Sequence, residues 1–262
     1  MSVEELEREY RPAKDRESVD AEEVDAEASA AESADAQPGE GLRRSQVNQA
    51  IGSRMLALWE IASVTLSFLI IAWVVLPFAE NSKLVGCIPL LFALTLMFLS
   101  HRVRGEGARE IGWRFDNFAR AVRLLFWPML GAAALVLLVG WLNKSFRLSK
   151  LQEWQWVLWL PVWGLVQQYA LQGFINRRAQ IVWGRGWPSV FVVASVFALL
   201  HLPNHWLTVA TFAGGLIWAS VYQRVPNLPA LALSHGLMSL MLVWALPPTA
   251  LKSLRIGFKY FG

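Results

Sequence analysis

The side chains able to do chemistry in this 262-residue chain lie in apolar surroundings, and they fall in three places. Gln167, Gln168 and Gln172 occur in the run Val166-Gln167-Gln168-Tyr169-Ala170-Leu171-Gln172-Gly173, followed by Arg177 and Arg178. His201 closes Phe197-Ala198-Leu199-Leu200-His201 and is followed by Leu202-Pro203-Asn204-His205, and His235 lies between Ser234 and Ser239 downstream of Asn227. An imidazole titrates near neutral pH and so can take or relay a proton. A carboxamide positions and polarises, but it does not accept a proton as a carboxylate does. On a helix Gln168 and Gln172 share a face, with Gln167 about 100° round from Gln168. Amides so placed also serve as interhelical glue. His201 and His205 stand four apart, as in half of a metal site, with Pro203 between them disturbing the helix that would align them.

The elements that must hold these groups are membrane spans. Hydrophobic residues make up 55% of the chain, Trp numbers 14, and mean hydropathy is +0.37, which excludes an ordinary soluble enzyme. The near-absence of charge in stretches of about 20 residues predicts seven spans, at 57–79, 84–100, 124–142, 155–175, 188–204, 206–222 and 228–246. The fold class is therefore all-α, a polytopic transmembrane helical bundle. Lipid satisfies no polar group, so Gln167, Gln168, Gln172, His201 and His235 are expected to meet in one cavity.

Residues 1–41 carry 4 basic and 14 acidic residues against 20 and 6 in the rest, and they offer only Tyr10 as an aromatic. That composition predicts a disordered, acidic, cytoplasmic tail, taken as 1–45, ahead of a membrane domain over 55–250. The positive charge belongs to the ends of the spans, so the basic pI of about 9.5 indicates headgroups and topology, and no nucleic acid. Arg43, Arg44 and Arg54 before the first span, and the arginines between the second and third, favour an inside N-terminus, as in a plasma (inner) membrane protein. The loop from His101 to Arg123 reads as an amphipathic segment on the inner surface. Cys87, the lone cysteine, reads as a buried small residue and excludes a disulfide framework.

The order of these motifs resembles the CPBP family of intramembrane endopeptidases (CAAX proteases and bacteriocin-processing enzymes, or Abi) over about residues 100–246. The similarity includes the Arg109-Glu110-Ile111-Gly112-Trp113-Arg114 lead-in, Phe197 to His201, and Asn227-Leu228 to His235. The first motif departs from the family pattern. Where the family has two glutamates and an arginine, this chain has Gln167, Gln168 and Gln172, and where the third motif usually ends in Asn it has Ser239. The resemblance implies a site formed by Gln167, Gln168, Gln172, His201, His235 and Ser239, acting on a peptide or membrane-protein substrate.

The three charges are replaced together, which avoids the stranded buried charge that one replacement would leave. Two functions follow: an endopeptidase cutting near the membrane surface, with His201 and His235 polarising water, or a non-catalytic pseudoprotease that binds a membrane segment or partner. A small transporter or a structural bundle is a third reading, disfavoured by the lack of internal repeats and of charged intramembrane residues. No cofactor is indicated. His201, His205 and His235 offer at most three nitrogen ligands, and the sequence leaves open whether a metal binds.

Overall fold

A computed structural model describes residues 38–75, 77, 83–146 and 154–261. The chain divides into two units between Ser53 and Arg54, and the second carries the site. Among the described residues every regular element is helical. In chain order they are α1 (Pro38–Ile70, continued by a π-helix Ile71–Val75), α2 (Lys83–Val103), α3 (Ala108–Ile111), α4 (Phe118–Leu142) and α5 (Trp154–Gln168). A π-helix, Tyr169–Asn176, then leads into α6 (Arg177–Trp183), followed by α7 (Trp187–Leu199), α8 (His205–Arg224), α9 (Leu228–Ala245) and α10 (Pro248–Leu251). Two short 3-10 turns, Lys252–Leu254 and Gly257–Tyr260, follow α10.

The protein is an integral membrane protein, all-α among the described residues. Helices at Arg43–Val75, Phe118–Leu142 and Leu228–Ala245 are long and apolar enough to cross a membrane, while Cys87–Val103 and Trp187–Leu199 are shorter apolar helices. α1 opens at Pro38, inside the range expected for the acidic tail, and residues 1–37 of that tail lie outside the described residues. Cys87 corrects its reading as a buried residue, because it is exposed on the outer side of α2, whose buried positions are Ala93, Met97 and His101.

Small residues let the helices come close, which matters in lipid because packing rather than hydrophobic exclusion drives helix association. A Cβ on Gly236 of α9 would lie 2.9 Å from Pro161 of α5, and one on Gly164 would lie 3.1 Å from the Ala232 carbonyl. On α8 a Cβ at Gly215 would meet Ala194 of α7 at 2.9 Å. α7 and α8 are joined by the short turn at Leu200–Asn204. Asn204 caps α8, accepting from the Leu207 amide at 3.2 Å and donating to the Leu251 carbonyl at 2.8 Å, so the C-terminal segment is tied to this turn.

The loop between α2 and α4, expected from the sequence to be an amphipathic surface segment, has a defined path. It is the four-residue α3 followed by turns, and backbone groups dock it onto the α8–α9 connection. The Leu228 amide donates to the Gly112 carbonyl at 2.8 Å, and the Tyr222 hydroxyl donates to the Ile111 carbonyl at 2.7 Å. Asn227 caps α9 and donates to the Arg114 carbonyl at 2.8 Å. Gly112 has φ 104°, a left-handed conformation that favours glycine. Ile111 is buried by this docking, while Trp113 and Phe115 stay exposed beside the basic residues, as a membrane-surface loop requires.

The bundle also holds buried charge, from the first expected span and just beyond the ends of two others. Arg178 is fully buried. It pairs with Glu106 at 2.8 Å and with Glu60 of α1 at 3.0 Å, and lies 4.6 Å over the Phe174 ring. Arg104 meets Glu60 at 2.7 Å, Arg177 meets Glu106 at 2.8 Å, His101 donates to Glu106, and Ser100 donates to Glu60. Glu60 from within α1 and charges at the end of α2 and the start of α6 thus turn inward and neutralise one another. Burial acts to raise the Glu106 carboxyl, but the hydrogen bonds from His101 and Arg178 and the charges of Arg178 and Arg177 outweigh it and hold the group at about 2.

Because its folded value lies below the ordinary 4.5, the stabilisation from Glu106 is complete above about pH 4.5 and is lost as pH falls toward about 2. Glu106→Gln leaves Arg178 with Glu60 as its only carboxylate partner among the described residues and is expected to cost about 1–3 kcal/mol at pH 7. It should also flatten the loss of thermal stability between about pH 4.5 and about pH 3. Thermal unfolding of both proteins in detergent across this range checks it, and equal stability of the two at pH 7 would refute the role assigned to the cluster.

Candidate functional site

Close approach of α5 and α9 positions the first pair. With Gly164 and Gly236 removing side chains from the crossing, the next turn of α5 brings Gln168, fully buried, to His235, and the amide nitrogen donates to Nδ1 at 3.1 Å. With Nδ1 accepting, the proton of a neutral His235 is on Nε2. Trp218 of α8 stacks on the imidazole, with ring centroids 4.6 Å apart at 25°, and its own Nε1 donates to Ser234 at 2.9 Å. The Phe197 ring stands between the two histidines, 4.7 Å from His201 and 5.7 Å from His235.

His201 has the opposite tautomer. Its Nδ1–H donates to the Phe197 carbonyl at 2.7 Å, which leaves the Nε2 lone pair unused by that bond. Both histidines line a cavity of about 320 Å³ together with Gln167 and Ser239. Apart from Thr211 its other walls are apolar, including Met129 and Val136 of α4, Trp163 of α5, Ile217 of α8, and Leu254 and Ile256 of the C-terminal segment. The cavity therefore has one polar pole in a greasy slot, suited to an apolar chain carrying an amide.

Four of the six expected site residues, Gln167, His201, His235 and Ser239, border this space, and Gln168 stands behind His235. Gln172 does not join them. The helix widens to π winding from Tyr169, so the 3.6-residue register assumed from the sequence does not hold there. Gln172 instead accepts from Asn176 at 2.7 Å. Asn176 in turn accepts from Gln180 at 3.1 Å and Gln223 at 3.0 Å, and Gln223 donates to Ser189 at 2.9 Å. The sequence reading missed Asn176 and Gln223, although each is an amide in an apolar helix, the same signal that singled out Gln172. It also missed Trp218, which nothing in the sequence separates from the other tryptophans.

His205 is exposed on the first turn of α8, while His201 is buried in the turn before it, so the two do not form a metal pair. Among the described residues no group of three or more His, Cys, Asp or Glu is gathered. His201 and His235 alone fall short of the three protein ligands of a catalytic zinc site, and the donor set does not fit such a metal.

The α5–α9 crossing is testable without any ligand. Gly236→Ala places a methyl against Pro161 backbone atoms, so the helices must part, at a cost of about 1–3 kcal/mol. Gly131→Ala, on α4 with nothing within 4 Å, is expected to be neutral or stabilising by up to about 1 kcal/mol. Thermal unfolding of both variants in detergent decides it, and the packing argument fails if Gly236→Ala is no less stable than Gly131→Ala.

Residues 149–241 match the family model described as type II CAAX prenyl endopeptidase Rce1-like. No curated protein and no solved structure matches the chain. The matched stretch holds the three-glutamine motif, Phe197 to His201 and Asn227 to Ser239, and from it Gln167, His201, His235 and Ser239 line one cavity. Over residues 149–241 the chain is thus similar to the CAAX prenyl endopeptidase family that its motifs resemble.

Proposed function

We propose that this protein is a membrane-embedded pseudoprotease that holds a peptide or membrane segment in the cavity without hydrolysing it. The observation that carries the reading is the Gln168–His235 hydrogen bond at 3.1 Å. Gln168 occupies a position where the family has a glutamate, and it donates to the imidazole where a carboxylate would accept. The amide thus sets the tautomer of His235 opposite to the one a carboxylate selects, and it removes the group able to take a proton from water. Gln167 and Ser239 keep hydrogen-bonding capacity at the polar pole. A bound segment would satisfy its backbone amides there and lay its apolar side chains along the slot.

The location assigned to this activity is a plasma (inner) membrane, with the N-terminus inside. The concentration of arginines at the ends of α2, α4, α6 and α8 that face the α3 loop supports that orientation. The seven longer helices are proposed as the spans, with residues 55–250 as the membrane domain and the acidic tail ahead of it.

A second reading, hydrolysis with His201 as general base, is favoured by the lone pair left on its Nε2. The two are separated by incubating purified protein in liposomes with a library of membrane-tethered peptides. Wild type is compared with His201→Ala and with Gln167→Glu/Gln168→Glu/Gln172→Arg. The pseudoprotease binds peptide without cleaving it, and the triple variant gains cleavage or at least folds better than either single glutamate variant. Cleavage by wild type that disappears in His201→Ala makes the protein an endopeptidase and overturns the proposal.

A further inference from the structure

Outside the cavity, on the lipid-facing side of α4 and α9, the surface carries a second built feature. A depression of about 400 Å³ at the start of α4 is lined by Phe118, Ala119, Val122, Arg123 and Phe126. It shares Val122 and Phe126 with a groove of about 250 Å³ that continues between α4 and α9, past Leu130 and Ala133 on one wall and Leu237 and Met241 on the other. From Arg123 to Ala133 this path follows α4 for about 15 Å, half the hydrocarbon thickness of about 30 Å of the whole bilayer. Its length suits one acyl chain of one leaflet.

The charge is at one end only. Arg123 lines the depression with the apolar stem of its side chain, its guanidinium lying outside it, and Arg120 is one turn before it on the same helix. Both are exposed, and among the described residues neither has an ion-pair partner, whereas Arg104, Arg109, Arg114, Arg177 and Arg178 all do. Asp116, the acidic group close by in the sequence, is taken by Arg109 at 2.8 Å and by Arg114. An unneutralised guanidinium at the membrane interface, set at the mouth of an apolar channel of acyl length, is complementary to a phosphodiester with a hydrocarbon tail.

We propose that this α4–α9 face is a binding site for one anionic glycerophospholipid of the surrounding leaflet. Arg123, assisted by Arg120, holds the phosphate, and the α4–α9 groove holds an acyl chain. Met129 and Met238 border both this groove and the candidate cavity, so the bound chain backs the wall of the cavity. The proposal does not depend on whether that cavity cuts or only binds.

The test is native mass spectrometry of the full chain released from detergent after equilibration with equimolar phosphatidylglycerol and phosphatidylcholine. Wild type should retain one phosphatidylglycerol in preference to phosphatidylcholine. Arg123→Ala should reduce that retention about fivefold, from the worth of one arginine near a membrane surface, and Arg123→Lys should keep most of it. Ala133→Trp fills the groove while leaving both arginines in place. It should reduce retention of phosphatidylglycerol as well, which separates a seated lipid from one attracted by charge alone. Equal retention of the two lipids by wild type overturns the site. So does unchanged retention in both Arg123→Ala and Ala133→Trp, or a wild-type dimer that carries no lipid. Should Arg123→Ala fail to fold, Ala133→Trp and Arg123→Lys still decide the outcome.

Discussion

Arg178 is fully buried in a protein that lipid surrounds, and much of the rest of the bundle is arranged to make that tolerable. An isolated charge in such a place is prohibitively costly, so its counter-charges must come from other helices. Glu60 from α1 and Glu106 from the turn after α2 supply them, with Ser100 and Phe174 filling the remaining directions. Because Arg177 and Arg178 open the helix that follows directly on the π-helical segment, the cluster fixes the end of the chain stretch that carries Gln167, Gln168 and Gln172. The site is thus held from one side by ion pairing and from the other by the α5–α9 crossing.

The same requirement, that every polar group find a partner inside the protein, separates three layers of amides that look alike in the sequence. Gln167 borders the cavity, Gln168 is spent on His235, and Gln172 belongs to the Asn176–Gln223–Ser189 network that joins the π-helix to α7 and α8. An arginine at position 172 would have needed an acidic partner in that network, whose members here are neutral. The joint replacement of three charges is intelligible in these terms, since each position is now served by a neutral hydrogen bond or by the cavity itself. Asn204 and Asn227, which accompany the histidines in the sequence motifs, do structural work instead, capping α8 and α9 and tying distant loops to them.

Much of the fold is legible in the amino-acid sequence alone, because a bilayer imposes helices on any apolar stretch that crosses it, and the helix order follows the hydropathy. His201, His235, Gln168 and their common neighbourhood are legible for a related reason, since polar groups in lipid have few places to go. The features that the sequence misrepresents share one cause. The burial of Cys87 and the grouping of Gln172 with the cavity residues are both inferences from one segment at a time. Each depends instead on which other segment lies alongside. Ile111 is buried because Tyr222 and Leu228 hold its loop, and Glu106 is in the interior because Arg177 and Arg178 meet it there.

The sequence by itself determined the class of protein, the order of its helices, and the set of residues able to do chemistry, because hydropathy, charge and residue type are local properties. Only the tertiary structure decided which of those residues share a cavity, which tautomer each histidine has, and that Gln172 stands apart from its neighbours. Those outcomes rest on close approach between helices far apart in the chain, set by glycines at 164, 215 and 236 and by a change of helical winding at Tyr169. Spacing along one helix carries no information about a partner on another, and a hydrogen bond is decided by a few tenths of an ångström between the two.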